Sequence, residues 1–110
     1  MAVDFKHVEY IGGYSLIFEA FTTAVDETIA DRGFSPMGYF WERVVVYLWE
    51  KDELEGPFSF DCSADFFSAS SASEHAIAQL KSHLEELTSQ PAKVSSLIDD
   101  ALADDFELEF

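Results

Sequence analysis

Three histidines and one cysteine are the side chains of this chain best suited to metal binding or nucleophilic catalysis, and their spacing favours neither. His75 and His83 share a predicted helix but lie eight residues apart, whereas zinc ligands on a helix usually lie three or four residues apart. Cys62 is the only cysteine, so a Cys–His catalytic pair would need His7, His75 or His83 to approach it in space. We therefore expect no metal site, no catalytic residue and no cofactor, with Cys62 a partly buried, unreactive thiol.

Two further patterns are weak candidates for ligand binding. Asp61 and Asp65 bracket a bend, but they lack the spacing and the glycine of a calcium-binding loop. Gly12 and Gly13 lack the glycine and lysine that must follow in a phosphate-binding loop. Solvated acids in the first case and a tight turn in the second are the simpler interpretations.

Ten of the 22 acidic residues fall in two runs. The first is Glu50, Asp52, Glu53 and Glu55, and the second is Asp99, Asp100, Asp104, Asp105, Glu107 and Glu109. Repulsion within each run costs stability, which a basic partner would offset, although a solvated surface is the alternative. Trp49 borders the first run, either as an interface anchor or as a core residue. The candidate partner-binding residues are Trp49, Glu50, Asp52, Glu53, Glu55, Asp99, Asp100, Asp104 and Asp105.

The overall composition is also that of a strongly acidic protein. The chain has 110 residues with 22 acids against 6 Lys and Arg, a formal net charge of −16 and 11 Phe residues. Such a charge repels nucleic acid and anionic membranes and attracts basic proteins. The length predicts one domain over residues 1–110. The lack of an apolar segment after Met1–Lys6 and the single cysteine predict a cytoplasmic protein.

The pattern of apolar residues predicts an α+β domain with the element order ββααββαα and a small antiparallel sheet. Strands are predicted over Val3–Tyr10, Tyr14–Phe18, Phe58–Phe60 and Phe66–Ala69, and the Ser-Ala run from Ser68 to Ser73 is expected to connect the last strand to a helix. Four helices are predicted. Phe21, Val25 and Ile29 mark the first, which Gly33 ends, and the second runs from a Ser35 cap to about Lys51. The third carries Ile77, Leu80, Leu84 and Leu87 after a Ser73 cap, and the fourth carries Val94, Leu97, Ile98, Ala101 and Leu102.

Two parts of this prediction are ambiguous. Val44–Tyr47 is β-branched and aromatic and would suit a strand, but the length of the apolar segment favours a helix. Phe106–Phe110 alternates strictly, which allows either a C-terminal edge strand or a loose tail.

One segment resembles a known family. Arg32-Gly33-Phe34 followed by Gly38-Tyr39-Phe40-Trp41-Glu42, and then the segment Phe60–Phe67, resemble the bacterial immunity protein family fifty-one over residues 14–102. Two positions differ from the family pattern, because Met37 stands where Asn is common and Ser63 where Glu is common. The resemblance implies a cytoplasmic antidote that binds a toxin domain, commonly encoded just upstream, and blocks its action. The motif residues Gly38, Tyr39, Trp41, Glu42, Phe60, Asp61 and Phe67 are interpreted as structural.

The combined hypothesis is a non-catalytic immunity protein, monomeric or weakly oligomeric, that binds a basic toxin domain, most simply a nuclease. It would block the active site or an adjacent surface. The alternative is an acidic nucleic-acid mimic that inhibits several DNA- or RNA-binding proteins. A small enzyme would need a deep pocket holding two carboxylates with separated pKa values.

Overall fold

The structure is a computed structural model of the chain and describes residues 3–109. Within those residues the order is ββααββαα, which confirms the predicted order and the α+β class. The strands are β1 (Lys6–Tyr10), β2 (Gly13–Glu19), β3 (Ser59–Phe60) and β4 (Phe66–Ser71). The helices are α1 (Asp26–Asp31), α2 (Gly38–Glu50), α3 (Glu74–Ser89) and α4 (Pro91–Ala103).

The four strands form one antiparallel sheet in the order β1-β2-β4-β3. Leu16 lies opposite Ala69 and Phe18 lies opposite Phe67. Directly opposite residues share a face of the sheet, and these four side chains are at most 1% exposed. They therefore define the inner face, which the helices cover.

The helices stack on this inner face in two levels. α2 packs against β4, α3 packs against β2 and β4, and α4 packs against α3 and α1. Trp41 of α2 is fully buried, with its ring 5.8 Å from the ring of Phe18 and edge-on to it. Its indole Nε1 has no hydrogen-bond partner among residues 3–109. Aromatic rings therefore join α2 to the centre of the sheet.

The ambiguous segment Val44–Tyr47 is helical, as predicted. Val44 and Val45 are fully buried, and on another side of α2 the ring of Tyr47 lies 5.1 Å from the ring of Phe106. A helix enclosed on several sides can be apolar around most of its circumference. Burial therefore overrides the strand preference of its β-branched residues.

Two predicted helix ends are confirmed by their geometry. The Ser73 hydroxyl oxygen accepts a hydrogen bond from the Ala76 N–H at 3.1 Å, which caps the start of α3. Gly33, just after α1, has a φ of +89°, and the Phe34 N–H donates to the carbonyl oxygen of Ile29. This is the left-handed arrangement that ends many helices.

The predicted starts of α1 and α2 were wrong. Phe21 has a φ of +64° and is 54% exposed, and α1 begins only at Asp26, after the Thr23 hydroxyl bonds the Asp26 carboxylate at 2.6 Å. α2 begins at Gly38 rather than at Ser35, and its N-cap Met37 supplies no side-chain bond. Instead, the Gly38 N–H donates to the carbonyl oxygen of Ala64 at 3.2 Å. Tertiary contacts supply what the predicted local caps would have provided.

The Ser-Ala run and Leu102 also differ from the prediction. Ser68 to Ser71 belong to β4 rather than to a connection, and the hydroxyls of Ser15 and Ser70 hydrogen-bond across the strands at 2.7 Å. Leu102 is 52% exposed, whereas Val94, Leu97, Ile98 and Ala101 of the same helix are buried. Leu102 follows Ala101 by about 100° around the helix, so it lies outside the buried stripe.

The C-terminal segment forms neither an edge strand nor a loose tail over residues 106–109, and Phe110 lies outside the described residues. Leu108 is 2% exposed, and the Arg43 guanidinium lies 4.6 Å from the centre of the Phe106 ring. The Arg43 Nε also donates a hydrogen bond to the backbone oxygen of Glu107 at 2.9 Å. The segment therefore packs beside α2 as irregular chain, and the sheet edges are left to β1 and β3.

Candidate functional site

Both acidic runs lie at the C-terminal ends of helices. Glu50 is the last residue of α2, and Asp99 and Asp100 lie in the last turns of α4. None of the four helices described between residues 3 and 109 has a basic residue in its last turn. The C-terminal end of a helix carries a partial negative charge, so acids placed there repel it. The charges of the acids and the partial charges of the helix ends are therefore both negative and reinforce one another.

A cleft of about 520 Å³ joins the two runs between α2, α3 and α4. We call it the acidic cleft. Its lining includes four acids and two lysines, with Tyr47 and His83 beside them: Glu53, Glu86, Asp100, Asp104, Lys51 and Lys93. Glu53 comes from the first run and Asp100 and Asp104 come from the second, so residues about fifty positions apart meet here. The fold thus gathers part of each run into one concave surface.

Asp104 is held by hydrogen bonds at one side of the acidic cleft. The Tyr47 hydroxyl donates to Asp104 Oδ2 at 2.7 Å, and Lys51 Nζ donates to the same oxygen at 3.1 Å. The bond from Tyr47, followed by that from Lys51, lowers the pKa of Asp104. The same hydrogen bond, then burial and the charges of Asp104, Asp100 and Glu53, raises the pKa of Tyr47 to about 12. Acids from both runs therefore contribute to the raised pKa of Tyr47.

The basic side chains around the site are already paired within the chain. Lys93 Nζ contacts Glu86 Oε2 at 2.8 Å across the cleft, and its hydrogen bond lowers the pKa of Glu86. Arg32, the residue directly after α1, pairs with Asp99 of α4. By contrast, Glu53 and Asp100 form no ion pair within residues 3–109. These two are the acids of the cleft that an incoming cation meets without displacing a lysine.

The other predicted partner-binding residues lie outside the acidic cleft. Trp49 points to a different side of α2, where its ring packs edge-on against Phe58 at 5.4 Å. Asp52 and Asp105 follow the ends of α2 and α4 in left-handed conformation, with φ values of +60° and +55°. The Glu55 N–H donates to the Gln79 side-chain oxygen at 3.0 Å, which holds the loop after α2 against α3. Glu50, Asp52, Glu55 and Asp105 are all exposed.

Most of the chain matches the model of a known protein family. The model of Immunity protein 51 matches residues 5–103 of the 110-residue chain. The chain belongs to this family. No curated protein and no solved structure shows a significant match. Membership supports an immunity function against a toxin and implies binding to a cognate toxin.

The first family motif meets the loop between β3 and β4. A Cβ on Gly38 would lie 1.9 Å from the carbonyl oxygen of Phe66 and 2.1 Å from that of Ser63. No side chain fits there without moving the backbone. Tyr39, one residue later, is 39% exposed, whereas Trp41 is fully buried.

The remaining motif residues lie around Cys62. Phe67 is fully buried and Phe60 packs against the core, while Asp61 is exposed and its N–H donates to the backbone oxygen of Ser68. Glu42 is half-buried. Burial, opposed by a hydrogen bond with the Ser68 backbone and reinforced by Glu42, raises the pKa of the Cys62 thiol to about 12. A thiol with this pKa is almost entirely protonated at neutral pH and is a poor nucleophile.

The histidines are not brought together around the cysteine or around a metal site. His7 lies on β1 with its ring 6.1 Å from that of Tyr14, while His83 lines the acidic cleft. Within residues 3–109 no group of three or more His, Cys, Asp and Glu side chains is placed to hold a metal ion. In that same part of the chain no helix combines the length and apolar character needed to cross a membrane.

Among the residues that line the acidic cleft, sequence reasoning missed Tyr47, His83 and Glu86. Glu86 carried a usable signal, because it is an acid near the C-terminal end of α3 with no basic residue in the last turn. Tyr47 and His83 carried none, since their position depends on how α2 and α3 pack.

Proposed function

We propose that this protein binds a cognate bacterial toxin domain through the acidic cleft and neutralises it by covering a basic surface. The observation that carries the proposal is the convergence of Glu53 with Asp100 and Asp104 on one concave surface in a member of an immunity protein family. We further propose that the protein is not an enzyme and acts in the cytoplasm as a single domain. This mode of binding requires only that the toxin have a cationic surface that fits the acidic cleft.

Arginine is the side chain that suits such a cleft best. Its planar guanidinium can donate two parallel hydrogen bonds to a carboxylate, and Glu53 and Asp100 form no ion pair among the described residues. Asp104 and Glu86 are bound by Lys51 and Lys93, so a toxin would have to displace these lysines. We therefore expect Glu53 and Asp100 to contribute more to binding than Asp104 and Glu86.

A nuclease is the toxin class that the charge favours. Its substrate groove must attract a polyanion and therefore carries Lys and Arg. A protein of net charge −16 is steered toward such a groove, and complementary charge raises association rates by orders of magnitude at low salt. Neutralisation would follow from occupying the groove or a surface beside it.

The first experiment is co-expression with the toxin domain encoded immediately upstream, scored by bacterial growth and by co-purification through a salt wash. Growth rescue with a stable one-to-one ratio of the two chains supports the proposal. Toxicity without rescue would overturn it. Purified protein that binds several unrelated basic proteins equally well would favour a nucleic-acid mimic instead.

The second experiment tests the acidic cleft itself. The double substitution Glu53→Gln and Asp100→Asn should weaken toxin binding by about 10- to 100-fold, mostly as a faster dissociation, because these carboxylates would contact the toxin directly. The matched control, Asp4→Asn with Glu19→Gln, removes the same charge from exposed positions outside the cleft. Equal losses in the two variants, measured by surface plasmon resonance, would leave only non-specific charge and would exclude the cleft as the contact.

A further inference from the structure

β1 is an edge strand that the rest of the described chain leaves uncovered. Among residues 3–109 its one sheet neighbour is β2, and all five of its residues are exposed. Val8 is 44% exposed and Tyr10 is 48% exposed. Alternate N–H and C=O groups along such an edge point away from the sheet and are available to another strand.

The sequence of β1 is complementary to itself when read antiparallel. In a two-fold pairing centred on Val8, each Val8 faces its own copy. Lys6 then faces Tyr10, and His7 faces Glu9, twice each. Charged side chains on an edge usually discourage pairing, but this register sets the Glu9 carboxylate opposite an imidazole rather than opposite another acid.

We propose that two copies of this chain associate through antiparallel pairing of their β1 strands about Val8. The two four-stranded sheets then form one continuous eight-stranded sheet. Directly opposite residues share a face, so Val8 and Tyr10 lie with Ser15 and Gly13 on the face opposite the buried Leu16. The apolar side chains of both copies meet on this outer face.

Charge favours this edge over other surfaces for contact between two copies. Each chain carries a formal charge of −16, so contact through the acidic runs would be strongly repulsive. β1 contains one lysine and one glutamate and is formally neutral. None of the residues that line the acidic cleft belongs to β1, so the strand pairing itself uses no residue of the cleft.

The dimer is weak because five residues on each side bury little area. We expect a dissociation constant of about 10–100 µM, as for small transient interfaces. Added salt should tighten the dimer, because it screens the repulsion between the two acidic chains.

Sedimentation velocity over a range of protein concentrations tests the proposal on the free full-length chain. Val8→Glu places two carboxylates face to face at the two-fold axis and should weaken the dimer at least tenfold. His7→Glu should also weaken it, because the new carboxylate at position 7 would then face Glu9 of the other copy. Exchanging the two residues, as His7→Glu with Glu9→His, again places one histidine opposite one glutamate in each pair. This double variant should recover the wild-type dissociation constant. Thermal melting of each variant checks that the monomer fold is unchanged.

Disulfide cross-linking tests the register. Val8→Cys puts two thiols at the two-fold axis within disulfide range, so oxidation should yield a covalent dimer. Lys6→Cys is the matched control, because two copies of residue 6 are offset by about 14 Å along the strands in this register. The raised pKa of Cys62, to about 12, makes that thiol a slow competitor.

Three results with the free chain, and a fourth with toxin present, would overturn the proposal. One is a monomer at about 500 µM in moderate salt, well above the expected dissociation constant. A second is a dimer that Val8→Glu does not weaken, and a third is equal cross-linking by Val8→Cys and Lys6→Cys. Backbone amides of β1 that become protected from hydrogen exchange only when toxin is added would assign the edge to the toxin instead. All the dimer measurements use the free chain, so they stand or fall separately from the toxin-binding proposal.

Discussion

The acidic cleft and the β1 edge are two exposed surfaces of one chain that differ in charge. The cleft collects Glu53, Glu86, Asp100 and Asp104 at the ends of helices, where the backbone adds its own negative potential. β1 balances one lysine against one glutamate on a flat strand edge. A net charge of −16 is therefore not a uniform property of the surface. The acidic cleft is therefore the surface proposed for a basic partner, and the β1 edge is the surface proposed for a second copy of the chain.

The largest expected effect lies where the helical layer and the sheet meet. Gly38→Ala would place a Cβ 1.9 Å from the Phe66 carbonyl oxygen, so α2 or the loop before β4 must move. We expect a loss of about 3 kcal/mol or more in the free energy of unfolding, measured with urea. Both surfaces should then be impaired together.

Gly12→Ala is the matched control on the sheet side. Gly12 has a φ of +99° with no atom within 4 Å of an added Cβ, so only the left-handed backbone opposes the change, at about 1 kcal/mol. If Gly12→Ala destabilises the protein as much as Gly38→Ala, the close approach of Gly38 is not the cause of its effect.

Added salt should weaken binding at the acidic cleft and strengthen association at the β1 edge. Raising NaCl from about 10 to about 100 mM shortens the Debye length from about 30 Å to about 10 Å. Toxin association should slow by about tenfold. The β1 dimer should bind more tightly, and the melting temperature of the free chain should rise. Surface plasmon resonance, sedimentation and thermal melting follow the three quantities. A melting temperature that falls with salt would mean that attractive ion pairs outweigh the repulsion.

Neutralising the cleft should separate stability from function. Glu53→Gln with Asp100→Asn removes acids near helix C-terminal ends and should stabilise the free chain by about 1 kcal/mol at low salt. The same variant should bind toxin more weakly, which is the exchange expected when a surface is kept for binding rather than for stability. Asp4→Asn with Glu19→Gln, which touches no helix end, should leave the urea midpoint nearly unchanged.

The smallest expected effect is the ionisation of Tyr47, which reports the potential of the cleft. Its pKa of about 12 should fall toward the ordinary value of about 10 in Asp104→Asn, as followed by tyrosinate absorbance. Because the folded-state pKa is raised, this group stabilises the fold fully below about pH 10 and loses that contribution as the pH rises toward 12. Glu74→Gln is the control, since Glu74 raises the pKa of Tyr14 instead. An unchanged Tyr47 in Asp104→Asn would mean that Asp104 does not set its pKa.

Much of the fold was predictable because it depends on local periodicity. The stripe of Ile77, Leu80, Leu84 and Leu87 repeats at the helical period, and all four residues are buried in α3. The prediction failed where a distant contact replaced a local signal. The start of α2 is fixed by the Ala64 carbonyl rather than by Ser35, and the C-terminal alternation ends against Arg43 rather than in the sheet.

For the candidate site, the sequence predicted the acidic residues but not which of them lie together. The two acidic runs are evident in the sequence, but only some of their members reach the cleft, and Trp49 packs beside Phe58 on another side of α2. A run of acids specifies charge, whereas the direction of each side chain follows from the helix face that burial selects.

The sequence by itself determined the element order, the buried stripe of α3, the excess of acid and the family, because each is a property of neighbouring residues or of composition. Only the tertiary structure decided which acids meet across α2, α3 and α4, which lysines neutralise them and which strand is left at the edge. These outcomes depend on packing between segments dozens of residues apart, where burial of apolar faces, rather than local spacing, sets the geometry.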